Sequence, residues 1–297
     1  MKYTFIGLLF YSMLLLLTFS CKTMTPIAAK NSKEAEKVIS LKYPVVLVHG
    51  VYSHDRGKIK RFWGRIPAEL EKNGIKVFFG NTDAWGDYES NAKILHETID
   101  KVLQETKSEK VNIIAHSKGG LDSRYFIWKY DYGDKVASLT TISTPHHGAE
   151  LADLIYKRKI THSKVAKKAL IIYGELYGDT NPDLYNVNYQ LTTDYMKKFN
   201  EDVWMDERVY YQSFYTVMKN SFDDLMFFYS YQYIKKTSGD NDGVVSECSA
   251  KWGSNITKIE GRISHAEIID KKKRKISGIF IPDIYKKIVT DLSDKGF

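Results

Sequence analysis

The sequence predicts an α/β protein, a single domain over residues 43–297 built on a mostly parallel sheet with helices on both faces. Three observations carry that reading. Short runs of mostly apolar and β-branched residues recur along the first half of the chain, each ended by glycine or a polar residue, as strands buried on both faces are. Amphipathic stretches at helical spacing lie between them, and strand and helix alternating at this rhythm make βαβ units. The composition supports a sizeable core: 297 residues, 43% of them hydrophobic, with a net charge of +8, leave no basis for disorder.

The first run is Val45-Val-Leu-Val48, after Tyr43-Pro44 and before His49-Gly50. A helix is expected from about Arg61 to Asn73, where Phe62, Ile66 and Leu70 recur at i, i+4 and i+8 and Gly74 follows as a stop. Val77-Phe-Phe79 makes a second strand. A long helix spans about 90–105, with Ile94, Ile99, Val102 and Leu103 on one side. Val111–Ala115 is the third strand, a helix covers about 119–129, and Leu139–Ile142 is the fourth strand. From about 150 to 203 the rhythm breaks: Leu154, Ile155, Val165, Ala169, Leu170, Ile171, Ile172 and Leu176 suggest helices with no buried strand, an insertion over the sheet. Val209–Tyr215 and Ile256–Ile259 restore strands, and Ile284–Leu292 closes the chain as a helix.

Ahead of the domain, residues 1–20 hold one charge, Lys2, and an apolar run from Phe5 to Ser20 that falls short of the ~20 residues a spanning helix needs. A signal peptide fits it. Cys21 follows the small residue Ser20, and the chain then turns polar, which resembles a bacterial lipoprotein processing site. That resemblance implies lipidation of Cys21, export, and attachment to a membrane by an N-terminal lipid anchor, with residues 21–42 as a flexible tether; plain secretion and an uncleaved anchor are the alternatives. The basic run Lys271-Lys-Lys-Arg-Lys275 reads as a solvated face, with lipid head-group contact as the second reading. No zinc-finger, RRM or basic-zipper pattern is present, so nucleic acid is not an expected partner.

Ser117 sits between a buried-strand signature and a helix start, in Val111-Asn-Ile-Ile-Ala-His-Ser-Lys-Gly-Gly-Leu121. A nucleophilic serine on a sharp strand-to-helix turn needs small neighbours two residues before and after, and Ala115 and Gly119 supply them. The helix behind Ser117 would aim its free amides and positive dipole end at the reacting atoms. A serine that merely caps the helix is the bland alternative. Asp242, in the glycine-flanked turn Asn241-Asp-Gly243, and Asp240 are candidate acids for such a site.

Four stretches resemble successive blocks of the bacterial true lipases, the triacylglycerol lipases of the Pseudomonas and Burkholderia type. They are Tyr43–Gly50, Ala115–Tyr125, Thr140–Gly148 and Ser238–Ser249, in the same order. The resemblance implies an α/β-hydrolase fold with a helical lid over about 150–203, and hydrolysis of lipid esters through an acyl-enzyme. It matches Asp242 to the triad acid and His265 to the base, giving the chain order Ser, Asp, His. The oxyanion amides fall on Val51, after His49-Gly50, and on Lys118. His49 and His116 then orient loops, His146 or His147 lines the mouth of the site, and His54, His96 and His162 serve the surface or packing.

The same resemblance implies a structural Ca²⁺ near the base, held here by Glu267 with Asp223 or Asp224. No cofactor is required for the chemistry. Cys248 matches one half of a family disulfide whose partner the body of this chain lacks, so it is expected as a buried thiol. A folding chaperone stays open as a partner, as do carboxylesterase or phospholipase specificity and a fixed rather than moving lid. From a different class, the chain could be a membrane-anchored interaction protein that has kept a hydrolase fold.

Overall fold

The computed structural model describes residues 39–52, 62–157, 168, 171–172, 175 and 178–297. The expected leader, Cys21, most of the tether, His54, His162, and Val165, Ala169, Leu170 and Leu176 of the insertion lie outside the described residues. Among the described residues no helix is long and apolar enough to cross a membrane.

Six strands form one sheet in which every neighbouring pair is parallel: β1 (Val45–Val48), β2 (Val77–Phe79), β3 (Val111–His116), β4 (Val136–Ile142), β5 (Tyr210–Tyr215) and β6 (Ile256–Lys258). Their order is β2-β1-β3-β4-β5-β6. β1, β3 and β4 are buried along their whole length, which is why aliphatic and β-branched residues dominate them with no regular polar alternation. From β1 the chain steps outward to β2, then returns to the other side of β1 for β3. The crevice between the carboxyl ends of β1 and β3 is the topological switch point, where open parallel sheets place their sites.

Helices cover both faces. On one, α1 (Ile66–Lys72) and α9 (Ile281–Asp294) pack with Val45, Leu47 and Ile114. α9 buries Ile281, Tyr285, Ile288, Val289 and Leu292, the i, i+4, i+7, i+8, i+11 stripe of an amphipathic helix. Each aliphatic side chain so buried contributes roughly 1.5–3 kcal/mol. On the other face, α2 (Tyr88–Thr106) and α3 (Lys118–Tyr130) pack with Val46, Val48 and Ile113. α2 is capped by Asp87, whose carboxylate accepts the Ser90 amide.

The structure moves several boundaries. α1 starts at Ile66, with Pro67 in its first turn, and Phe62–Arg65 form turns. The reason is tertiary: Arg65 is held by Asp270 through its backbone amide and a two-pronged guanidinium contact at 2.6 and 2.7 Å. The described part of the insertion contains α4 (Glu150–Lys157), α5 (Leu184–Gln190) and α6 (Thr193–Asp202). Two helices come without sequence warning, α7 (Phe228–Ser238) and the short α8 (Glu247–Ala250). The α7 segment, Phe-Tyr-Ser-Tyr-Gln-Tyr-Ile, is aromatic on all sides and shows no helical stripe.

Candidate active site

β3 delivers Ser117 to the switch point, and α3 begins at the next residue. Ser117 has φ 54° and ψ −131°, a backbone state that L-residues rarely adopt. The turn is fixed from outside: the Ser117 amide donates to Ile142 O at 2.9 Å, and Thr144 Oγ1 donates to Ser117 O at 2.8 Å. Close packing explains the small residues around it. A Cβ on Gly119 would stand 2.4 Å from His49 O, and one on Gly50 would stand 2.8 Å from Ser117 Cβ. Gly50 therefore lets the chain after β1, leading to Val51, pass directly beside the serine. Ala115 is fully buried.

Three side chains join in series. His265 Nε2 lies 2.9 Å from Ser117 Oγ, and its Nδ1 lies 2.7 Å from Asp242 Oδ2. All three are buried. The other oxygen of Asp242 accepts the amides of Val244 and Val245, at 3.0 and 2.8 Å, and the His265 amide donates to Asp242 O at 2.9 Å. The carboxylate is thus aimed by its own turn, and the turn is tied to the histidine loop. Asn241 braces it, accepting the Gly243 amide and donating to the carbonyls of Tyr231 and Gly239. Asp240 stays outside, paired with Lys235.

The side chain of Lys118 gave no sequence signal beyond i,i+4 spacing to Asp122. It is buried and donates to both oxygens of Asp122 at 2.8 and 2.9 Å, while Asn91 donates to the same carboxylate. Burial pushes the Asp122 carboxyl up to about 6, with Lys118 and Asn91 pulling the other way. His116 is buried against His265, with ring centroids 4.5 Å apart, and neither of its ring nitrogens has a hydrogen-bond partner among the described residues. Burial, and then the nearness of His265, lowers its pKa well below 6.5, so it is a neutral packing ring rather than a loop-orienting donor. His49 does orient a loop, with Nε2 at 3.0 Å from Thr82 O.

The residues near the base do not fit the calcium site that the resemblance implies. Lys272 Nζ stands between the two carboxylates, 2.8 Å from Glu267 Oε1 and 3.1 Å from Asp224 Oδ1. Asp223 faces away and accepts the amides of Lys219 and Asn220. A divalent ion needs six or more oxygens around it; here the Lys272 ammonium occupies the place between the two carboxylates. Ser264 closes the cluster, donating from Oγ to Asp224 at 2.6 Å and from its amide to Glu267 at 3.1 Å. This arrangement holds the loop immediately before His265.

Two further expectations are corrected. His146 is buried rather than at the mouth: it stacks on Trp252 at 4.6 Å, with Thr141 and Arg124 on its nitrogens. His147 remains exposed, beside Lys251 O. Cys248 is an exposed thiol, because α8 turns it outward beside Ser246 Oγ.

A parallel sheet, a serine on the turn at its switch point, and an aspartate and a histidine on later loops define a carboxylic ester hydrolase of the α/β-hydrolase superfamily. The interaction-protein alternative finds no support in this assembled geometry. The chain belongs to the palmitoyl protein thioesterase family, whose model matches residues 44–230. It is similar to triacylglycerol lipase 2 of Saccharomyces cerevisiae, 29% identical over 261 residues that cover 80% of this chain and 74% of that protein. It is also 35% identical to the triacylglycerol lipase of Burkholderia plantarii over 136 residues, 44% of this chain, a stretch that spans only 37% of the bacterial protein. The relation to bacterial lipases read from the four motifs is therefore shown. Among solved structures, the mature lipase of Bacillus licheniformis matches with TM-score 0.61 at 24% identity, covering 90% of this chain and 96% of that one, and it shares the fold.

Proposed function

We propose that this enzyme hydrolyses carboxylic esters of lipids through an acyl-enzyme on Ser117. The hydrogen-bonded series Ser117–His265–Asp242 on a strained turn carries the reading. His265 Nε2 takes the serine proton as Oγ attacks the ester carbonyl, and Asp242 holds the ring in the tautomer that leaves Nε2 free to accept it. The amides of Val51 and Lys118 receive the developing oxyanion. Collapse of the tetrahedral intermediate breaks the ester C–O bond, and His265 returns the proton to the leaving alcohol. Water, deprotonated by the same ring, then releases the acid.

The substrate reading draws on the printed activity of the relatives, triacylglycerol lipases of yeast and bacteria. Acyl-chain profiling with glycerol esters, and with Ser117→Ala as control, tests it. Cleavage of medium and long chains is expected; cleavage of short chains alone makes the protein a carboxylesterase. The family match favours a second reading, long acyl thioesters. The same acyl series offered as S-acyl peptides decides between them, because a thioesterase cleaves these faster than the matched oxygen esters.

The enzyme acts at a membrane, exported and anchored by lipid on Cys21, with the helical insertion as a lid over the site. The leader composition and the Ser20-Cys21 junction support the anchor. Labelled palmitate should enter wild type and fail to enter Cys21→Ser.

A further inference from the structure

Two segments with no part in the chemistry meet beside the catalytic loops. The first is the turn that leads into α7. Phe222 is 73% exposed, Leu225 70%, Tyr229 51% and Met226 40%, so four large apolar side chains stand in water within eight residues. The turn is built, not ragged. Asp223 accepts the amides of Lys219 and Asn220, Asp224 accepts that of Met226, and Tyr231 Oη donates to Lys219 O at 2.9 Å. The second segment is Lys271–Lys275, five consecutive basic residues that are all exposed.

Lys272 staples the two together. It reaches inward to Asp224, in the apolar turn, and to Glu267, in the histidine loop. Both carboxylates are buried; the Lys272 ammonium balances one of their two negative charges, and Arg274, 3.9 Å from Glu267, faces the other. Lys271, Lys273 and Lys275 then leave the face net positive around the exposed apolar side chains, with Lys219 at the other end of the turn offset by Asp223. The face also abuts the site. Ser264, one residue before His265, donates to Asp224, and a Cβ on Gly243, next to Asp242, would strike Phe227 at 2.5 Å.

We propose that this face docks the enzyme on an anionic lipid bilayer, with Phe222, Leu225, Met226 and Tyr229 entering the head-group boundary and the 271–275 run meeting lipid phosphates. Charge complementarity selects the occupant. Aromatic and aliphatic side chains bordered by a basic cluster are what an anionic interface takes up, and each basic residue near it contributes about fivefold in binding. A protein partner would instead favour a patch depleted of lysine. The inference deepens the lipid-ester reading, since docking here brings the Asp242 and His265 loops to the lipid, but binding is measurable apart from turnover.

The experiment uses the full chain with Ser117→Ala and an environment-sensitive fluorophore on Leu225→Cys, Cys21 and Cys248 being replaced by serine so that the label has one attachment point. Vesicles of phosphatidylcholine, with and without phosphatidylglycerol, are the probe. The emission should shift to the blue with phosphatidylglycerol vesicles and much less with phosphatidylcholine alone. Lys271→Gln, Lys273→Gln and Lys275→Gln should each weaken the response about fivefold, with melting temperatures unchanged. Phe222→Asp should weaken it about tenfold or more. Emission that stays unshifted while the vesicles co-float with protein puts the contact elsewhere and overturns the proposal. So does a shift indifferent to phosphatidylglycerol and to the lysine changes, or a shift produced only by a co-purifying protein. Docking without cleavage of any lipid ester by the Ser117 enzyme keeps this face and sinks the substrate reading; cleavage without docking does the reverse.

Discussion

Lys118 and Lys272 do the same electrostatic work on opposite sides of the triad. Lys118 balances Asp122 beside Ser117 and has 2% of its side chain exposed; Lys272 bridges Asp224 and Glu267 beside His265, balancing one of their two charges, and is 32% exposed. The contacts of Lys118 rest on regular elements: its partner Asp122 stands one turn along α3, and Asn91 on α2 donates to that carboxylate. Those of Lys272 lie on loops, and between β6 and α9 no helix or regular strand supports the histidine. The nucleophile is thus positioned by backbone geometry that the sheet imposes, with the ion pair as a buried clamp behind it. His265 is positioned by side-chain bonds, and Lys272 stands where the resemblance to lipases implies a metal ion.

That contrast can be broken or sharpened by substitution. The largest expected effect is on the chemistry itself: Ser117→Ala should lower kcat on a soluble chromogenic ester by about 10⁶-fold and abolish labelling by a fluorophosphonate. Asp242→Asn should cost about 10⁴-fold by allowing the wrong tautomer of His265. Asp240→Asn, which loses only a surface contact with Lys235, should stay within about twofold in the same assay; a larger loss there would move the acid. Next comes stability. Lys118→Met leaves Asp122 buried and uncompensated and should cost about 3–5 kcal/mol in denaturant unfolding. Lys272→Met should cost less, about 1–2 kcal/mol, because water reaches its partly open site. Calcium should raise the melting temperature of Lys272→Met and leave wild type unmoved, and a chelator should not alter wild-type activity. Equal costs for the two lysines, or a wild type that needs calcium, would erase the distinction.

The smallest effect is a slope. His116 is held neutral in the folded chain, with its pKa well below 6.5. The unfolded chain takes up that proton more readily, so the stability involved is complete above about pH 6.5 and is lost as the pH falls below it. His116→Leu should flatten the acid limb of melting temperature against pH, and an unchanged limb would assign the slope to another group.

The central strands were legible because β1, β3 and β4 are buried along their whole length, whereas β2 is half-buried and β6 exposed; β1 lies where Val45–Val48 reads it, and β4 starts earlier, at Val136. Ser117 was legible for the same reason, since a fully buried strand ending in small residues before a helix is a local pattern. Asp242 and His265 were not readable from local pattern alone. A glycine-flanked aspartate is an ordinary turn residue, and only resemblance to lipases singled out His265 among eight histidines. Cys248 and His146 show the limit of residue-type averages, because a four-residue helix exposes the one and a tryptophan stack buries the other.

The sequence by itself determined the order of elements, the parallel sheet and the serine on its turn, because hydrophobic period and local sterics are properties of neighbours along the chain. Tertiary structure alone decided which imidazole meets the serine, and that Lys272 would stand between Asp224 and Glu267, joining a basic run to an apolar turn nearly fifty residues away. Such pairings depend on where loops of irregular backbone come to rest after the core has packed, and no periodicity encodes that.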